Sequence, residues 1–244
     1  MKILALDSSG LVASVAVLDG DVIQSEYTMN YKKTHSQTLL PMLEAVKKLT
    51  DLDLSTIDAI AVAAGPGSFT GLRIGSATAK GLGLALNTPI IPVPTLEGLA
   101  YIFYGSDKMI CPIMDARRNQ VYTGLYSFDK NGSIYDMMTI KEQCASDIED
   151  LIKEINKLDR DVIFLGDGVP VFKEIIEEKC KVGFSFAPAH MNRQRAGAVA
   201  AYGKVLYEQG KYETAAEHAP EYLRLSQAER ERMEGIDSSC ISVR

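Results

Sequence analysis

The 244-residue chain contains no tryptophan, three histidines and four cysteines. The cysteines are scattered without CxxC or CxxH spacing, which predicts reduced thiols in a cytoplasmic protein and argues against a zinc site. His35, His190 and His218 share no HxxxH or HExxH spacing, which also argues against a histidine metal site. No apolar run approaches the ~18 residues of a membrane span.

Positive charge is also scarce. Lysine and arginine number 26 against 32 acidic residues, giving a net charge of −6. Proteins that bind nucleic acid alone usually carry an excess of positive charge, so this balance argues against such a protein. Short basic pairs, at Lys32-Lys33, Arg117-Arg118 and Arg193-x-Arg195, leave a local basic patch open.

Hydrophobic periodicity predicts the same succession of elements twice. In the first half we expect three strands within residues 2–29, a helix at 35–48, a strand at 57–64, a helix at 72–86, a strand at 89–93 and a helix at 95–104 with Thr95 as its N-cap. In the second half we expect strands at 109–115, 120–128 and 133–140, a helix at 146–158, a strand at 162–165 and helices at 171–179 and 194–209.

This repeat predicts an α/β protein with two related lobes rather than one doubly wound sheet. Each lobe opens on a strand that ends in an aspartate, Asp7 or Asp115. We expect an N-terminal lobe at 1–104, a second lobe at 105–225 and a polar tail at 226–244. Helix 194–209 belongs to the second lobe in sequence, although it could pack back on the first.

A glycine-rich stretch, Gly65 to Gly75, links a predicted strand to a helix. Its spacing has one residue too many for GxGxxG, and it lacks the Gly-Lys-Ser/Thr of a Walker loop. The helix that follows places Gly75, Ala79 and Gly83 four residues apart. Glycine inside a helix costs about 1 kcal/mol relative to alanine, so we expect the small residues to allow another helix to approach closely.

The predicted helix at 35–48 has an unusually wide apolar arc. Leu39, Leu43 and Val46 form one line, and Leu40 and Met42 widen it. The arc covers roughly half of the helix, whereas one core contact needs a stripe of ~100°. We therefore expect this helix to contact its own core and a second surface.

Two loops carry candidate catalytic residues. Asp7-Ser8-Ser9 could hold a hydrated metal beside a phosphate, as in a two-lobed ATPase, or Asp7 could cap a turn. Asp115, at the matching point of the second lobe, could supply a second carboxylate or form an ion pair with its basic neighbours. The sequence leaves both alternatives open.

Five motifs are spread along the whole chain. They are Asp7-Ser8-Ser9, His35-Ser36-x-x-Leu39-Leu40-Pro41, the stretch Gly65 to Gly75, Asp115-Ala116-Arg117-Arg118-x-x-Val121-Tyr122 and Pro220-x-Tyr222-Leu223-Arg224. Together these motifs resemble the TsaB (YeaZ) family. The resemblance implies two ribonuclease-H-like lobes of the sugar kinase/Hsp70/actin-like fold, in agreement with the repeat.

The resemblance also implies a role in tRNA modification. It predicts a subunit of the bacterial machinery that adds threonylcarbamoyl to N6 of adenosine 37 in tRNAs decoding ANN codons. The implied partners are the catalytic paralogue TsaD directly, and the ATPase TsaE and tRNA through the complex; TsaC supplies the activated intermediate. The chain is expected to have no cofactor of its own, with ATP or ADP possible at the partner interface.

One difference from TsaD concerns the metal. TsaD-like sequences carry two metal-binding histidines in a segment resembling His-Met-Glu-Gly-His, where this chain has Thr95-Leu96-Glu97-Gly98-Leu99. Neither Thr95 nor Leu99 can replace an imidazole as a ligand of iron or zinc. We therefore expect a pseudo-enzyme without a catalytic centre. A stand-alone ATPase using Asp7 and Asp115, or an M22-like metallopeptidase, is the alternative.

In this family the two helices corresponding to 35–49 and 71–86 pair with TsaD, and the same surface forms a homodimer when TsaD is absent. The predicted interface residues are His35, Leu39, Leu40, Met42, Leu43, Val46, Arg73, Ile74, Gly75, Ala79, Leu82, Gly83 and Leu86. On this hypothesis Gly75→Leu or Ala79→Leu abolishes the complex and leaves the chain folded.

Overall fold

A computed structural model describes residues 1–224 of the chain. The predicted tail at 226–244 lies outside the described residues. No helix within 1–224 is long and apolar enough to cross a membrane. The cysteines of this part, Cys111, Cys144 and Cys180, are free thiols.

The first sheet has the strand order β3-β2-β1-β4-β5. Its strands are β1 (Lys2–Asp7), β2 (Ala13–Asp19), β3 (Val22–Met29), β4 (Ala59–Gly65) and β5 (Ile90–Pro94). β1 to β3 are antiparallel neighbours, whereas β4 and β5 run parallel to β1. The antiparallel pairs follow short connections, and the parallel pairs need crossover helices.

The second sheet repeats this arrangement with the order β8-β7-β6-β9-β10. Its strands are β6 (Met109–Asp115), β7 (Gln120–Asn131), β8 (Ile134–Asp147), β9 (Val162–Leu165) and β10 (Phe184–Phe186). The predicted two-lobed α/β fold is therefore confirmed. The hairpin of β7 and β8 is longer than predicted, and β10 was not predicted.

Within residues 1–224, six α-helices cover the sheets: α1 (His35–Leu49), α2 (Phe69–Leu86), α3 (Thr95–Ala100), α4 (Ile148–Leu158), α5 (Val169–Lys179) and α6 (Ala196–Glu208). α1 and α2 share a core with one face of the first sheet, and α6 packs on its opposite face. α4 and α5 enclose the core of the second sheet. α3 packs between the sheets.

Side-chain caps move the start of two helices from the predicted position, and Thr95 is not the predicted cap of a third. α2 begins at Phe69 instead of residue 72 because Ser68 is its N-cap and accepts a hydrogen bond from the Gly71 backbone N–H at 3.3 Å. α4 begins later than predicted because Asp147 caps it. Thr95 is the first residue of α3 rather than its cap; its hydroxyl accepts a hydrogen bond from the Gly65 N–H at 3.1 Å. Capping side chains satisfy N–H groups that a helix leaves unpaired.

Candidate functional site

A cleft of about 1290 Å³ lies between the lobes. Its walls come from the loops that follow β1, β3, β4 and β6, together with residues 221–224. Because β1, β4 and β6 end at this cleft, the predicted candidates of both lobes meet there. Asp115 lines the cleft directly, and Asp7 lies behind Ser9 in its wall.

Asp7 is buried behind the first loop. Its Oδ1 accepts hydrogen bonds from the Ser9 N–H at 2.9 Å and from the Ser9 hydroxyl at 2.7 Å. Burial raises the pKa of Asp7 to about 6, against the opposing effects of the Ser9 hydrogen bonds and the His35 charge. Ser8 donates its hydroxyl to the Gly71 carbonyl at 2.8 Å. The side chains of Asp7, Ser8 and Ser9 are therefore hydrogen-bonded to other groups of the same chain.

The glycines of the central stretch let the start of α2 rest on this loop. The Ser68 N–H donates to the Ser9 carbonyl at 2.7 Å. A Cβ at Gly67 or Gly71 would fall far inside van der Waals contact with the carbonyl oxygens of Ser9 and Ser8, respectively. Glycine at these two positions therefore allows the start of α2 to contact the backbone of the loop after β1, because a residue with a Cβ would not fit.

The second loop is more open than the first. The Asp115 side chain is 19% exposed and pairs with Arg117 at 3.3 Å. The Asp115 N–H donates to Asp167 at 3.2 Å, and burial raises the pKa of Asp167. Arg117, Arg118 and Asn119 have φ of 65°, 55° and 58°, a left-handed conformation that costs roughly 1–2 kcal/mol per residue.

Most predicted interface residues lie in the core of the first lobe, so their assignment to a partner surface is wrong. The buried ones are Leu39, Met42, Leu43, Val46 and Ala79. A Cβ at Gly75 would lie 2.6 Å from the Ser8 hydroxyl, and one at Gly83 would lie 2.9 Å from the Ala215 Cβ. The small residues of α2 therefore face the chain itself, and Gly75→Leu or Ala79→Leu would disturb the fold.

The remaining predicted residues have exposed surface. Leu40 is 55% exposed and Arg73 is exposed, whereas His35, Ile74, Leu82 and Leu86 are half-buried. His35 lies at the start of α1 with its Nε2 2.8 Å from the Gly10 carbonyl. Ile74 and Leu82 pack against the core.

The outward face of α2 is a stripe that the sequence did not single out. Its exposed residues recur along the helix at Thr70, Arg73, Ala77, Gly81, Leu84 and Ala85. Leu84 is 65% exposed, and space around Gly81 is open. Lys80 points back and donates to the carbonyls of Ala216 and His218 at 3.0 and 2.6 Å, so Arg73 is the only charged residue of the stripe.

Residues 221–224 cross the cleft and join both lobes. The Glu221 N–H donates to the Ala64 carbonyl at 2.7 Å, and Arg224 donates to the Ala116 carbonyl at 2.8 Å. The Tyr222 ring lies 4.7 Å from that of Phe69. The segment includes the motif Pro220-x-Tyr222-Leu223-Arg224, but its place in the fold is not predictable from sequence, because contacts between residues more than 100 positions apart leave no local pattern.

Thr95 and Leu99, the positions where the resemblance to TsaD-like sequences predicts the loss of two metal-binding histidines, are both buried. Leu99 packs in the core between the sheets. Within residues 1–224 no group of three or more His, Cys, Asp or Glu side chains is arranged to hold a metal ion.

The sequence and the fold are both similar to those of known proteins. Residues 23–232 match the family model "TsaD: tRNA N6-adenosine threonylcarbamoyltransferase". The chain is 36% identical over 236 residues to the Bacillus subtilis tRNA threonylcarbamoyladenosine biosynthesis protein TsaB, covering 96% of this chain and 99% of the relative. It is 36% identical to Escherichia coli TsaB over 54% of this chain and 58% of that protein. The structure of YeaZ from Pseudomonas aeruginosa superposes with a TM-score of 0.76 at 26% identity, covering 91% of this chain and 99% of YeaZ.

The two sheets have equivalent strand orders and belong to lobes on either side of a cleft. This arrangement defines a protein of the sugar kinase/Hsp70/actin-like class with two ribonuclease-H-like lobes. Within this class, the identity over almost the full length of both proteins is decisive. The chain belongs to the TsaB (YeaZ) family, which is related to TsaD.

Proposed function

We propose that the chain is a non-catalytic subunit of the machinery that transfers threonylcarbamoyl to N6 of adenosine 37 in ANN-decoding tRNAs. The names of its relatives support this role, since the Bacillus subtilis protein is described as a tRNA threonylcarbamoyladenosine biosynthesis protein. The proposal includes a cytoplasmic location, expected from the scattered cysteines.

The main structural support for this proposal is the outward face of α2. The stripe exposes alanine, glycine and leucine with one charge, whereas solvated helix faces are usually charged or polar. Small residues at a helix surface let a second helix approach closely, and the exposed Leu84 and Leu40 supply apolar area. We assign this surface to a TsaD paralogue, which would bind against α1 and α2.

The same surface would form a homodimer when TsaD is absent. TsaE and tRNA would join through the complex, and ATP or ADP would bind at the interface with the partner rather than to this chain alone. The buried loop of Asp7 supports the last point, because Ser9 and the start of α2 already occupy the space beside it.

A non-catalytic role is supported by the residues at the candidate sites. Thr95 and Leu99 offer no imidazole and are buried, and Asp7 is bonded to Ser9. No specific contact favours the stand-alone ATPase or the metallopeptidase, so neither is proposed as a second function.

The decisive experiment changes one exposed leucine on each of the two helices, Leu40 on α1 and Leu84 on α2. Leu84→Glu and Leu40→Glu should each weaken binding to a TsaD paralogue by about 30-fold, the effect of removing a central hot-spot residue worth ~2 kcal/mol. Calorimetry measures the affinity, and thermal melting tests whether each variant is folded. Melting should not change because both side chains are exposed.

Ile134→Glu is the matched control, since Ile134 is 54% exposed on the second lobe. Its affinity for TsaD should equal that of the wild type. Unchanged affinity of Leu84→Glu and Leu40→Glu would show that the partner binds elsewhere. Omitting each subunit in turn from a reconstituted tRNA modification assay tests the role of the chain itself, and activity without it would contradict the proposed function.

A further inference from the structure

The rim of the cleft carries basic residues from both lobes. Lys32 and Lys33 lie on the loop between β3 and α1, and Arg117 lies on the loop between β6 and β7. All three line the cleft and are exposed. The chain as a whole has a net charge of −6, so a positive rim is a local feature rather than a result of composition.

The carboxylates of the cleft are largely occupied by other groups. Asp115 pairs with Arg117 and its side chain is 19% exposed; Asp167 is more deeply buried and its pKa is raised by burial. Glu221 accepts a hydrogen bond from Gln143 at 3.0 Å. Among the ion pairs within residues 1–224, none includes Lys32 or Lys33. Lys32 and Lys33 can therefore attract an anion from solution, and Arg117 can contact the same anion only in exchange for, or beside, its ion pair with Asp115.

Aromatic side chains accompany the basic ones. Tyr31, beside Lys32, is 69% exposed, and Tyr222 is 40% exposed. Phe69 and Tyr122 complete the aromatic lining. Aromatic faces next to basic groups match single-stranded nucleic acid, whose bases stack while its phosphates contact the cations. An acidic peptide would satisfy the cations but leave the aromatic faces unused.

The basic loop of the second lobe is held in an unfavourable conformation. Arg117, Arg118 and Asn119 are three successive non-glycine residues with left-handed φ. Such conformations persist where the surroundings fix them, and they cluster at sites that bind ligands. Arg117 is one of these left-handed residues, and its side chain is 85% exposed at the cleft.

We propose that the cleft rim of this chain binds a single-stranded segment of RNA directly, with Lys32, Lys33 and Arg117 at its phosphates and Tyr31 stacked on a base. The proposal rests on the proposed function in taking RNA, not DNA, as the nucleic acid. It gives this chain its own contact with the substrate, in addition to contacts made through the complex.

Fluorescence anisotropy with a short labelled single-stranded oligoribonucleotide tests the proposal, on the full chain and on its complex with TsaD. Lys32→Ala with Lys33→Ala should weaken binding about tenfold. The double variant should also lower the magnitude of the slope of log affinity against log salt by about 1.4, since each phosphate neutralised on a single strand contributes ~0.7. Tyr31→Ala should weaken binding at least about fivefold with little change in slope.

Lys157→Ala with Lys181→Ala is the matched control, because it removes two exposed lysines from the second lobe outside the cleft lining. An equal loss in this control would reveal general charge attraction and overturn the proposal. Failure of the wild type to bind RNA, both alone and in complex, would also overturn it. Polyglutamate of equal charge competing for the site more strongly than unlabelled oligoribonucleotide would identify an acidic peptide as the ligand instead.

The same variants separate this proposal from the proposed function. Lys32 and Lys33 lie on the loop before α1, outside the stripe of α2. Pairing with TsaD, measured by calorimetry, should therefore be retained when RNA binding is lost. If the wild type binds RNA but not TsaD, the proposed function fails and the RNA site stands.

Discussion

In both lobes a glycine near the start of a helix allows close packing at the cleft, but the packing covers the loop after the first strand in only one of them. In each, glycine before or within the first turns of a helix lets that helix approach the strand that opens the lobe. A Cβ at Gly71 would strike the Ser8 carbonyl, beyond the end of β1, whereas a Cβ at Gly168 would lie 3.0 Å from the Ile113 carbonyl, inside β6. α2 therefore covers the first loop, while α5 leaves the loop after Asp115 open.

This difference explains the unequal fates of the two aspartates. Asp7 is 2% exposed and bonded to Ser9, so it belongs to the support of α2. The Asp115 side chain is 19% exposed beside Arg117 at the cleft. The loop after β1 in the first lobe thus supports α2, whereas the loop after β6 in the second lobe is open and carries basic residues.

The largest expected effect comes from filling the tight contact of the first lobe. Gly71→Ala should lower the free energy of unfolding by about 3 kcal/mol, at the upper end of the cost of overpacking, because the Ser8 backbone cannot move aside easily. Gly168→Ala should cost less, since its closest contact is 3.0 Å. Urea unfolding measures both.

Gly81→Ala is the control for the helix itself. No atom lies within 4 Å of a Cβ at Gly81, so alanine should raise stability by about 1 kcal/mol through helix propensity. Equal losses in Gly71→Ala and Gly168→Ala would mean that the two lobes do not differ in this contact.

A second effect, no larger than the first, follows from the buried carboxylate. The pKa of Asp7 is raised from 3.8 to about 6 in the folded chain, so the folded state binds more protons than the unfolded state between these values. Its contribution to stability is therefore fully favourable below pH ~4 and is lost as the pH rises through about 6. The shift corresponds to about 3 kcal/mol at most.

Asp7→Asn keeps an oxygen that can accept from Ser9 and removes the charge. Relative to wild type, the variant should gain stability between pH 4 and pH 8, measured as the free energy of unfolding in urea. Asp115→Asn removes the corresponding carboxylate of the open loop and controls for the loss of one negative charge. The same gain in both variants would contradict the distinction between the lobes.

Local pattern was sufficient to predict most of the fold. The apolar runs and the repeated order of elements predict two lobes, as the two sheets confirm. β10 was missed because three residues, Phe184–Phe186, are too few to show a period. Boundaries differed where a side chain caps a helix, as Ser68 does for α2.

The faces of α2 could not be assigned from sequence for a physical reason. Both Gly75 with Ala79 and Ala77 with Gly81 are small, so neither size nor hydropathy tells the inner pair from the outer. Gly75 faces inward against Ser8, more than 60 residues away in the chain, and Ala79 faces inward into the core of the first lobe. Knowing the helix period alone, we selected the wrong pair.

The smallest expected effect concerns the open loop. Arg118 has a left-handed φ of 55°, is exposed, and forms no ion pair or side-chain hydrogen bond within residues 1–224. Arg118→Gly relieves the backbone but raises the entropy of the unfolded chain, so the net gain should be about 0.5–1 kcal/mol in urea unfolding. Arg118→Ala loses the same side chain without relieving the backbone, so it should show no gain. A gain in both variants would place the unfavourable energy in the charge of Arg118 instead of its backbone, and the left-handed loop would then no longer distinguish the second lobe from the first.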